Sequence, residues 1–299
     1  MRDAVPVTAG RPRSVWLALA IVALYVLLAA GLGDLLSGLV SDDQELAQFA
    51  LGHFIPLAIA IVGLLLFLRW AKWGKDVWRE RPTPTLTPRR WWLASIPVLV
   101  VLLPISQLGD IPWASRSIGY ILIIAAGTLM VGFGEELVIR GVLLTAVRAR
   151  HGELVALLAT SAVFALAHIP GSIIAGVPIA AIAFQVSFLA AAGASYYWVR
   201  RVTGRLWAAM LAHALTDWVL YLASGAGTPA ASMPQDHSGS PEPLPVTVQV
   251  LLLIATTISL ISVIREDRRS KRAAAASAQA RGGAAHPGAD VEGVIPEEP

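Results

Sequence analysis

Eight long apolar segments constrain this chain more than any other feature of its sequence. A helix needs about 20 apolar residues to cross the hydrocarbon core of a membrane, and each segment approaches or exceeds that length. Inside lipid, the backbone can satisfy its hydrogen bonds only as a helix or as a closed barrel. The sequence therefore predicts an all-α polytopic membrane bundle of about eight transmembrane helices. The segments are 14–36, 48–70, 91–108, 118–137, 154–169, 177–199, 206–223 and 246–264.

Composition excludes the main alternatives to a membrane protein. Of the 299 residues, 56% are hydrophobic and only 14% are charged, whereas soluble domains have about 25% charged residues. Such high hydrophobicity also excludes disorder for most of the chain. The chain has no cysteine, so it can form no disulfide, thiolate metal site or cysteine nucleophile.

The apolar segments divide the chain into three parts. Residues 1–13 form a predicted cytoplasmic N-terminal segment, and 14–264 form the transmembrane bundle. Residues 265–299 are predicted to be a cytoplasmic tail that is basic at first and disordered from Ala273 onward. The basic start of the tail favours contact with anionic lipid headgroups. Membrane lipids are therefore predicted partners, and nucleic acid is not.

Positive charge is distributed unevenly between the two sides of the predicted bundle. Every lysine and arginine except Arg116 and Arg140 lies before the first segment, in or directly beside alternate connections, or after the last segment. Basic loops remain in the cytoplasm as a rule. The sequence therefore predicts an integral protein of the plasma membrane with both termini in the cytoplasm.

Ionisable residues inside the apolar segments are the candidate functional residues. Charge within a membrane is costly, so such side chains usually face the protein interior and take part in function. His53 in the second segment is a weaker member of this group. The fourth segment is expected to continue as a helix towards Ala146, because no residue between 137 and 146 breaks it, so it includes Arg140. The stronger members are Glu135, Glu136, Arg140, His168, His213 and Asp217.

Helical spacing separates the two adjacent glutamates. Glu136 and Arg140 are four residues apart with the acid first, the favourable order for an ion pair on one helix face. Glu135 points roughly 100° away from that face, and four residues later it meets Ile139. We interpret Glu136–Arg140 as a structural ion pair and Glu135 as a desolvated carboxylate suited to general-base chemistry. An interhelical hydrogen bond from a protonated Glu135 is the alternative.

The histidines show the same four-residue spacing. Phe164 and His168 share one face, so the aromatic ring can pack on the imidazole and orient it. His213 and Asp217 also share a face. Ordinary hydrogen bonds between helices would explain each pair taken alone, but the three clusters together favour one site.

These clusters resemble the motifs of the CPBP family of intramembrane proteases, which includes the type 2 CAAX prenyl proteases and the Abi bacteriocin-immunity proteins. The resemblance covers about 118–223 and rests on three short motifs in the family's order, each in a separate segment. They read Glu135-Glu136-Leu-Val-Ile-Arg140, Phe164-Ala-Leu-Ala-His168 and His213-Ala-Leu-Thr-Asp217.

The resemblance implies a peptidase mechanism. Glu135 and His168 would activate a water, and His213, with the residue at 217, would stabilise the oxyanion. The family commonly has asparagine where this chain has Asp217. An ionised aspartate cannot donate a hydrogen bond, so the implied oxyanion role fits Asp217 less well than His213.

We therefore predict an endopeptidase that cleaves a membrane-anchored or transmembrane protein or peptide, with no cofactor. A zinc-dependent metalloprotease is the closest alternative, because Glu135, His168, His213 and Asp217 could supply nitrogen and oxygen ligands. No His-Glu-x-x-His motif is present to support it. A non-enzymatic immunity or scaffold protein is a further alternative. A transport protein is another, although internal repeats typical of transporters are not apparent.

Overall fold

The computed structural model describes residues 11–41, 43–86, 88–226 and 243–284. Within these ranges the chain is helical, and eight helices are long and apolar enough to cross a membrane. The prediction of an all-α bundle with eight spans is confirmed. The helices are α1 Val15–Ser37, α2 Glu45–Ala71, α3 Trp91–Asp110, α4 Ile118–Arg148, α5 Glu153–Ile174, α6 Ile179–Thr203, α7 Leu206–Ser224 and α8 Pro243–Ala284.

The last helix is longer than the sequence indicates. α8 continues beyond 264, where the apolar segment ends, and remains helical to Ala284. Here the structure differs from the predicted disorder after Ala273, and the reason is local: alanine, which dominates 273–284, is the strongest helix former. Residues 1–10 and 285–299 of the two predicted terminal parts lie outside the described residues.

Two of the spanning helices contain a π-helical turn. One occupies Leu27–Leu32 in α1, and the other occupies Leu137–Leu143 in α4, directly after the two glutamates. A π-helical turn inserts an additional residue, so it rotates the following face of the helix, and such turns are frequent at functional sites. Both π-helical turns lie on helices that line the candidate site described below.

α4 lies at the centre of the bundle and packs against α7, α2 and α1. Close approach to α7 depends on Gly132, because a Cβ at this position would lie 2.5 Å from the Met210 carbonyl oxygen and 2.8 Å from the Ala214 nitrogen. Small residues permit such contacts between membrane helices. The same principle brings α1 and α2 together at Gly33 and Gly52.

The outer surface of the bundle is apolar. Large side chains such as Ile179, Trp16 and Ile118 are 85%, 82% and 78% exposed. A soluble protein rarely exposes an apolar surface of this extent, whereas lipid tails would cover it. The chain is an integral membrane protein.

A cluster of ion pairs ties five parts of the chain together at one end of the bundle, and we call it the basic-end network. Arg148 contacts Glu80 at 2.6 Å and Glu153 at 2.9 Å. Arg201 contacts Glu153 at 2.8 Å and Glu266 at 3.0 Å. The Tyr197 hydroxyl donates to Glu153 at 2.6 Å. The network comprises Glu80, Arg148, Glu153, Tyr197, Arg201 and Glu266.

The extension of α8 also caps α5 at this end. Asp267 accepts hydrogen bonds from the backbone nitrogens of Glu153 and Leu154 at 2.8 and 3.1 Å. The first turn of a helix leaves such N–H groups unsatisfied, and a carboxylate is favoured there. The basic part of the predicted tail is thus partly integrated into the bundle.

Candidate active site

The two adjacent glutamates of α4 lie in different environments. Glu136 and Arg140 are completely buried, and Arg140 Nη1 donates to Glu136 Oε1 at 2.7 Å. The guanidinium group also donates to the Gly193 carbonyl at 2.8 Å and lies over the Phe164 ring at 4.3 Å. Glu135 instead faces a cavity, and its side chain is 22% exposed. The 100° separation expected from the sequence corresponds to this division.

His168 lies where the regular part of α5 ends, between Leu166 and the short helical turn that begins at Ile169. Its Nδ1 lies 2.9 Å from the Phe164 carbonyl oxygen. A carbonyl only accepts, so Nδ1 carries the proton. Nε2 then points towards Glu135, whose Oε2 lies 3.9 Å away.

His213 connects both glutamates to α7. Its Nδ1 lies 3.0 Å from Glu136 Oε1, while its Nε2 lies 3.9 Å from Glu135 Oε2 and 3.5 Å from Asp217 Oδ2. The imidazole stacks on the Tyr196 ring, with centroids 4.7 Å apart. Three carboxylates therefore surround this ring. Glu136 does more than the sequence indicates, because it holds His213 as well as Arg140.

Phe164 packs between the two histidines. Its ring meets His168 edge to face at 5.0 Å and His213 at 5.6 Å. Such contacts fix the planes of both imidazoles. The sequence indicated the first contact from spacing alone, whereas the second joins α5 to α7 and has no local signature.

A cavity of about 410 Å³ opens beside Glu135 and His168. The three motifs lie in α4, α5 and α7, but these helices do not form the cavity alone. α1 and α2 line much of the cavity, and His213 and Asp217 are not among its lining residues. The cause is that His213 is buried against Tyr196 and Glu136, so it lies behind Glu135.

Tyr25 of α1 and His53 of α2 also line this cavity. The Tyr25 hydroxyl is buried and has no hydrogen-bond partner among the described residues. It lies against Gly134, where a Cβ would be 2.5 Å from the hydroxyl oxygen. His53 directs Nδ1 to the Phe49 carbonyl at 2.8 Å. Tyr25 has no sequence signal within its apolar run, whereas His53 is an ionisable residue within a span.

The side chains of this site are not arranged as the ligands of a metal ion. No group of three or more histidine, aspartate or glutamate side chains is arranged to hold one metal ion in the part of the chain that the structure describes. Glu135 lies 3.9 Å from each histidine. As arranged, these residues do not fit the tetrahedral zinc shell considered above.

The arrangement supplies the groups for acid–base chemistry at a carbonyl. It has a partly exposed carboxylate, an imidazole with a free Nε2 facing it, and a second imidazole held by carboxylates. A helical membrane bundle that gathers these groups beside a cavity has the features of an intramembrane hydrolase.

Comparison with known families gives the class a name. Residues 117–219 match the family model described as type II CAAX prenyl endopeptidase Rce1-like. This region is an Rce1-like domain, which places it in the CPBP/CAAX protease family, and the resemblance seen in the sequence is confirmed. Searches of curated proteins and of solved structures gave no match.

Proposed function

We propose that this chain is an intramembrane endopeptidase in which Glu135 and His168 activate the attacking water. The main support is the pair of 3.9 Å separations from Glu135 Oε2 to His168 Nε2 and to His213 Nε2. They exceed direct hydrogen-bond length. A water at about 2.8 Å from both Glu135 and His168 would nevertheless have good hydrogen-bond geometry.

In the proposed reaction, the water oxygen bonds to the scissile carbonyl carbon while Glu135 accepts a proton from the water. His168 accepts a hydrogen bond at Nε2 and orients the water for attack. Glu135 then delivers the proton to the amide nitrogen as the C–N bond breaks, which releases an amine and a carboxylic acid. General acid–base catalysis of this kind contributes about 10²–10⁴-fold in rate.

His213 is the proposed oxyanion donor. As an imidazolium it donates through Nδ1 to Glu136, while the Nε2 proton remains available for the substrate oxygen. The 3.5 Å separation between Nε2 and Asp217 is longer than a good hydrogen bond, so Asp217 does not hold this proton firmly. Asp217 is therefore a positioning residue in this proposal, and Glu136 positions the other side of the same ring.

The substrate is a peptide bond in a membrane-associated protein or peptide, and membrane lipids surround the enzyme. We also propose the plasma membrane as its location, with both termini in the cytoplasm. The distribution of basic residues supports this orientation.

The test compares protein termini in membranes from cells that carry the wild type or Glu135→Gln at matched expression. New termini should appear with the wild type and vanish with Glu135→Gln. Glu45→Gln is the matched control, because Glu45 is an exposed glutamate at the start of α2, and its profile should equal that of the wild type. Termini that persist with Glu135→Gln would overturn the mechanism.

The zinc alternative needs a separate measurement. Metal analysis of the purified protein and cleavage assays with a chelator should show metal-independent activity. Stoichiometric zinc together with loss of cleavage in chelator would replace this mechanism by the metalloprotease. Identical terminal profiles for every variant would favour the immunity, scaffold or transport functions.

A further inference from the structure

The cavity beside Glu135 is closed towards one end of the bundle. The residues that close it are Val22, Leu57, Val138 and Ile139, which line it and are at most 5% exposed. Each is apolar, and each lies in the interior of its helix. A peptide could therefore not reach Glu135 from this direction without displacing packed side chains.

The cavity opens towards the other end. Asp34 and Ala175 line it and are exposed, and Gln48 and Ala226 line it at the same end. Their positions along the chain show which end this is. Asp34 lies near the end of α1, and Gln48 lies near the start of α2. Ala175 directly follows α5, and Ala226 follows α7.

The basic-end network lies at the opposite end of the bundle. Arg148 ends α4, Arg201 is in the last turn of α6, and Glu80 lies in the connection between α2 and α3. Those ends and connections also carry nearly all the lysines and arginines. By the positive-inside rule this end faces the cytoplasm, so the mouth of the cavity faces away from it.

We propose that the substrate reaches Glu135 from the extracytoplasmic side of the membrane. The inference rests on the proposed function of the Glu135 site and narrows its substrate class. The substrate is a peptide segment that is anchored to the membrane and presented outside the cytoplasm, for example after export. A cytoplasmic C-terminal tail would meet the closed end of the cavity and is not the substrate.

The mouth and interior indicate the chemistry of this segment. Asp34 places an exposed carboxylate at the mouth, while Phe49, Leu57 and Tyr221 make the interior largely apolar. Apolar residues around the scissile bond, with a neutral or basic residue on the side near the mouth, would match this lining.

Thiol labelling tests the direction of entry, because the natural chain has no cysteine. Three single variants are needed: Ala167→Cys beside His168 in the cavity, Ala175→Cys at the mouth and Ala149→Cys at the basic end. Ala149 is exposed in the connection between α4 and α5. Each is treated with a sulfonated, membrane-impermeant maleimide in intact spheroplasts and in inverted vesicles.

Ala167→Cys and Ala175→Cys should react in spheroplasts, and Ala149→Cys should react only in inverted vesicles. Reaction of Ala167→Cys from inverted vesicles alone would overturn the proposal. So would a failure to react from either side in protein that reacts after denaturation in SDS.

Labelling does not require catalysis, which keeps this test separate from the proposed function. If Ala167→Cys is labelled from outside but no cleavage depends on Glu135, the proposed peptidase function is wrong and the proposed direction of access is supported. If cleavage depends on Glu135 but Ala167→Cys is labelled only from the cytoplasmic side, the peptidase function is supported and the proposed extracytoplasmic entry of the substrate is wrong.

Discussion

The site beside the cavity, with Glu135, His168 and Asp217, and the basic-end network contain similar ionisable groups that are exposed to a similar extent. The lengths of their contacts differ. Glu135, His168 and Asp217 are 17–22% exposed, and the Arg148 and Glu153 side chains in the network are 19% and 21% exposed. The network contacts are 2.6–3.0 Å long. The contacts of Glu135 and Asp217 are 3.5–3.9 Å long.

Burial alone therefore does not distinguish the charged side chains that hold helices together from those proposed to take part in catalysis. Short, charge-assisted contacts satisfy the groups of the network and hold helices together. The longer contacts in the cavity leave Glu135 and the His168 Nε2 able to bind a third group. Glu136 and Arg140 lie in the site but form a short contact like those of the network, since they are fully buried and their Oε1 and Nη1 atoms are 2.7 Å apart.

The largest effect should come from Glu135→Gln. We expect cleavage to fall by about 10²–10⁴-fold, the usual contribution of a general acid–base group. The melting temperature in detergent should not change, because the contacts of Glu135 to the two histidines are both 3.9 Å long. Initial rates on a substrate found by terminal profiling, together with thermal melts, provide the measurement. A melting temperature that falls as far as in Arg140→Ala would remove the distinction between the two glutamates.

Arg140→Ala should act mainly on stability. The substitution leaves Glu136 buried without its cation, and breaking a buried ion pair in this way costs about 3–5 kcal/mol. Thermal melts and chemical unfolding in detergent would measure the loss. Arg13→Ala is the control, since the Arg13–Asp76 pair is 40% and 51% exposed and exposed pairs contribute about 0–1 kcal/mol. Equal melting temperatures for the two variants would contradict the proposed role of Arg140.

Glu153→Gln tests the network without touching the cavity. Glu153 accepts from Arg148, Arg201 and Tyr197, and hydrogen bonds to charged groups contribute about 1.5–3 kcal/mol. We expect a lower melting temperature and an unchanged cleavage rate per folded molecule. Loss of cleavage at full stability would show that the network also serves catalysis.

The sequence predicts what depends on composition and on positions within one helix. Membrane thickness sets the length of apolar segments, so the eight spans follow from hydrophobicity. The separate faces of Glu135 and Glu136 follow from helical geometry, as does the pairing of Glu136 with Arg140.

What the sequence does not predict depends on how the helices rotate against each other. The Glu136–His213 contact joins α4 to α7 across 77 positions of the chain. Tyr25 reaches the cavity from an apolar run in which nothing marks it. Glu153 and Glu266 have no pattern that would distinguish a structural network from ordinary loop charges near the membrane surface.

Gly132→Ala should have a smaller effect than the loss of these ion pairs. A Cβ would lie 2.5 Å from the Met210 carbonyl oxygen and 2.8 Å from the Ala214 nitrogen, and backbone atoms cannot move aside as a flexible side chain can. Overpacking of this kind costs about 1–3 kcal/mol. Cleavage should also fall, because separation of α4 from α7 lengthens the Glu136–His213 contact.

Gly63→Ala is the matched control for this substitution. Gly63 is within α2, and an alanine methyl group at this position would have no neighbouring atom within 4 Å. Alanine should therefore stabilise the helix by about 0.5–1 kcal/mol. Melting temperatures that move in opposite directions would agree with the packing argument. A harmless Gly132→Ala would show that α4 and α7 do not need their close contact.

The smallest effect should come from Asp217→Asn, which introduces the residue common in the family. Asparagine keeps the shape of the side chain and removes its charge. If Asp217 only positions His213, the loss is one weak polar contact, which is worth about 0.5–1.5 kcal/mol and corresponds to roughly a tenfold change in rate or less. The rate should therefore remain far above that of Glu135→Gln.

Asp217→Ala separates positioning from charge, because it removes both oxygens. We expect its kcat to fall further than that of Asp217→Asn, with little change in KM, since His213 loses a neighbour that orients it while the cavity lining is preserved. The pH profile of kcat should also shift in both variants, because each removes one of the three carboxylates around His213. A loss in Asp217→Asn as large as in Glu135→Gln would mean that Asp217 acts directly on the reacting atoms.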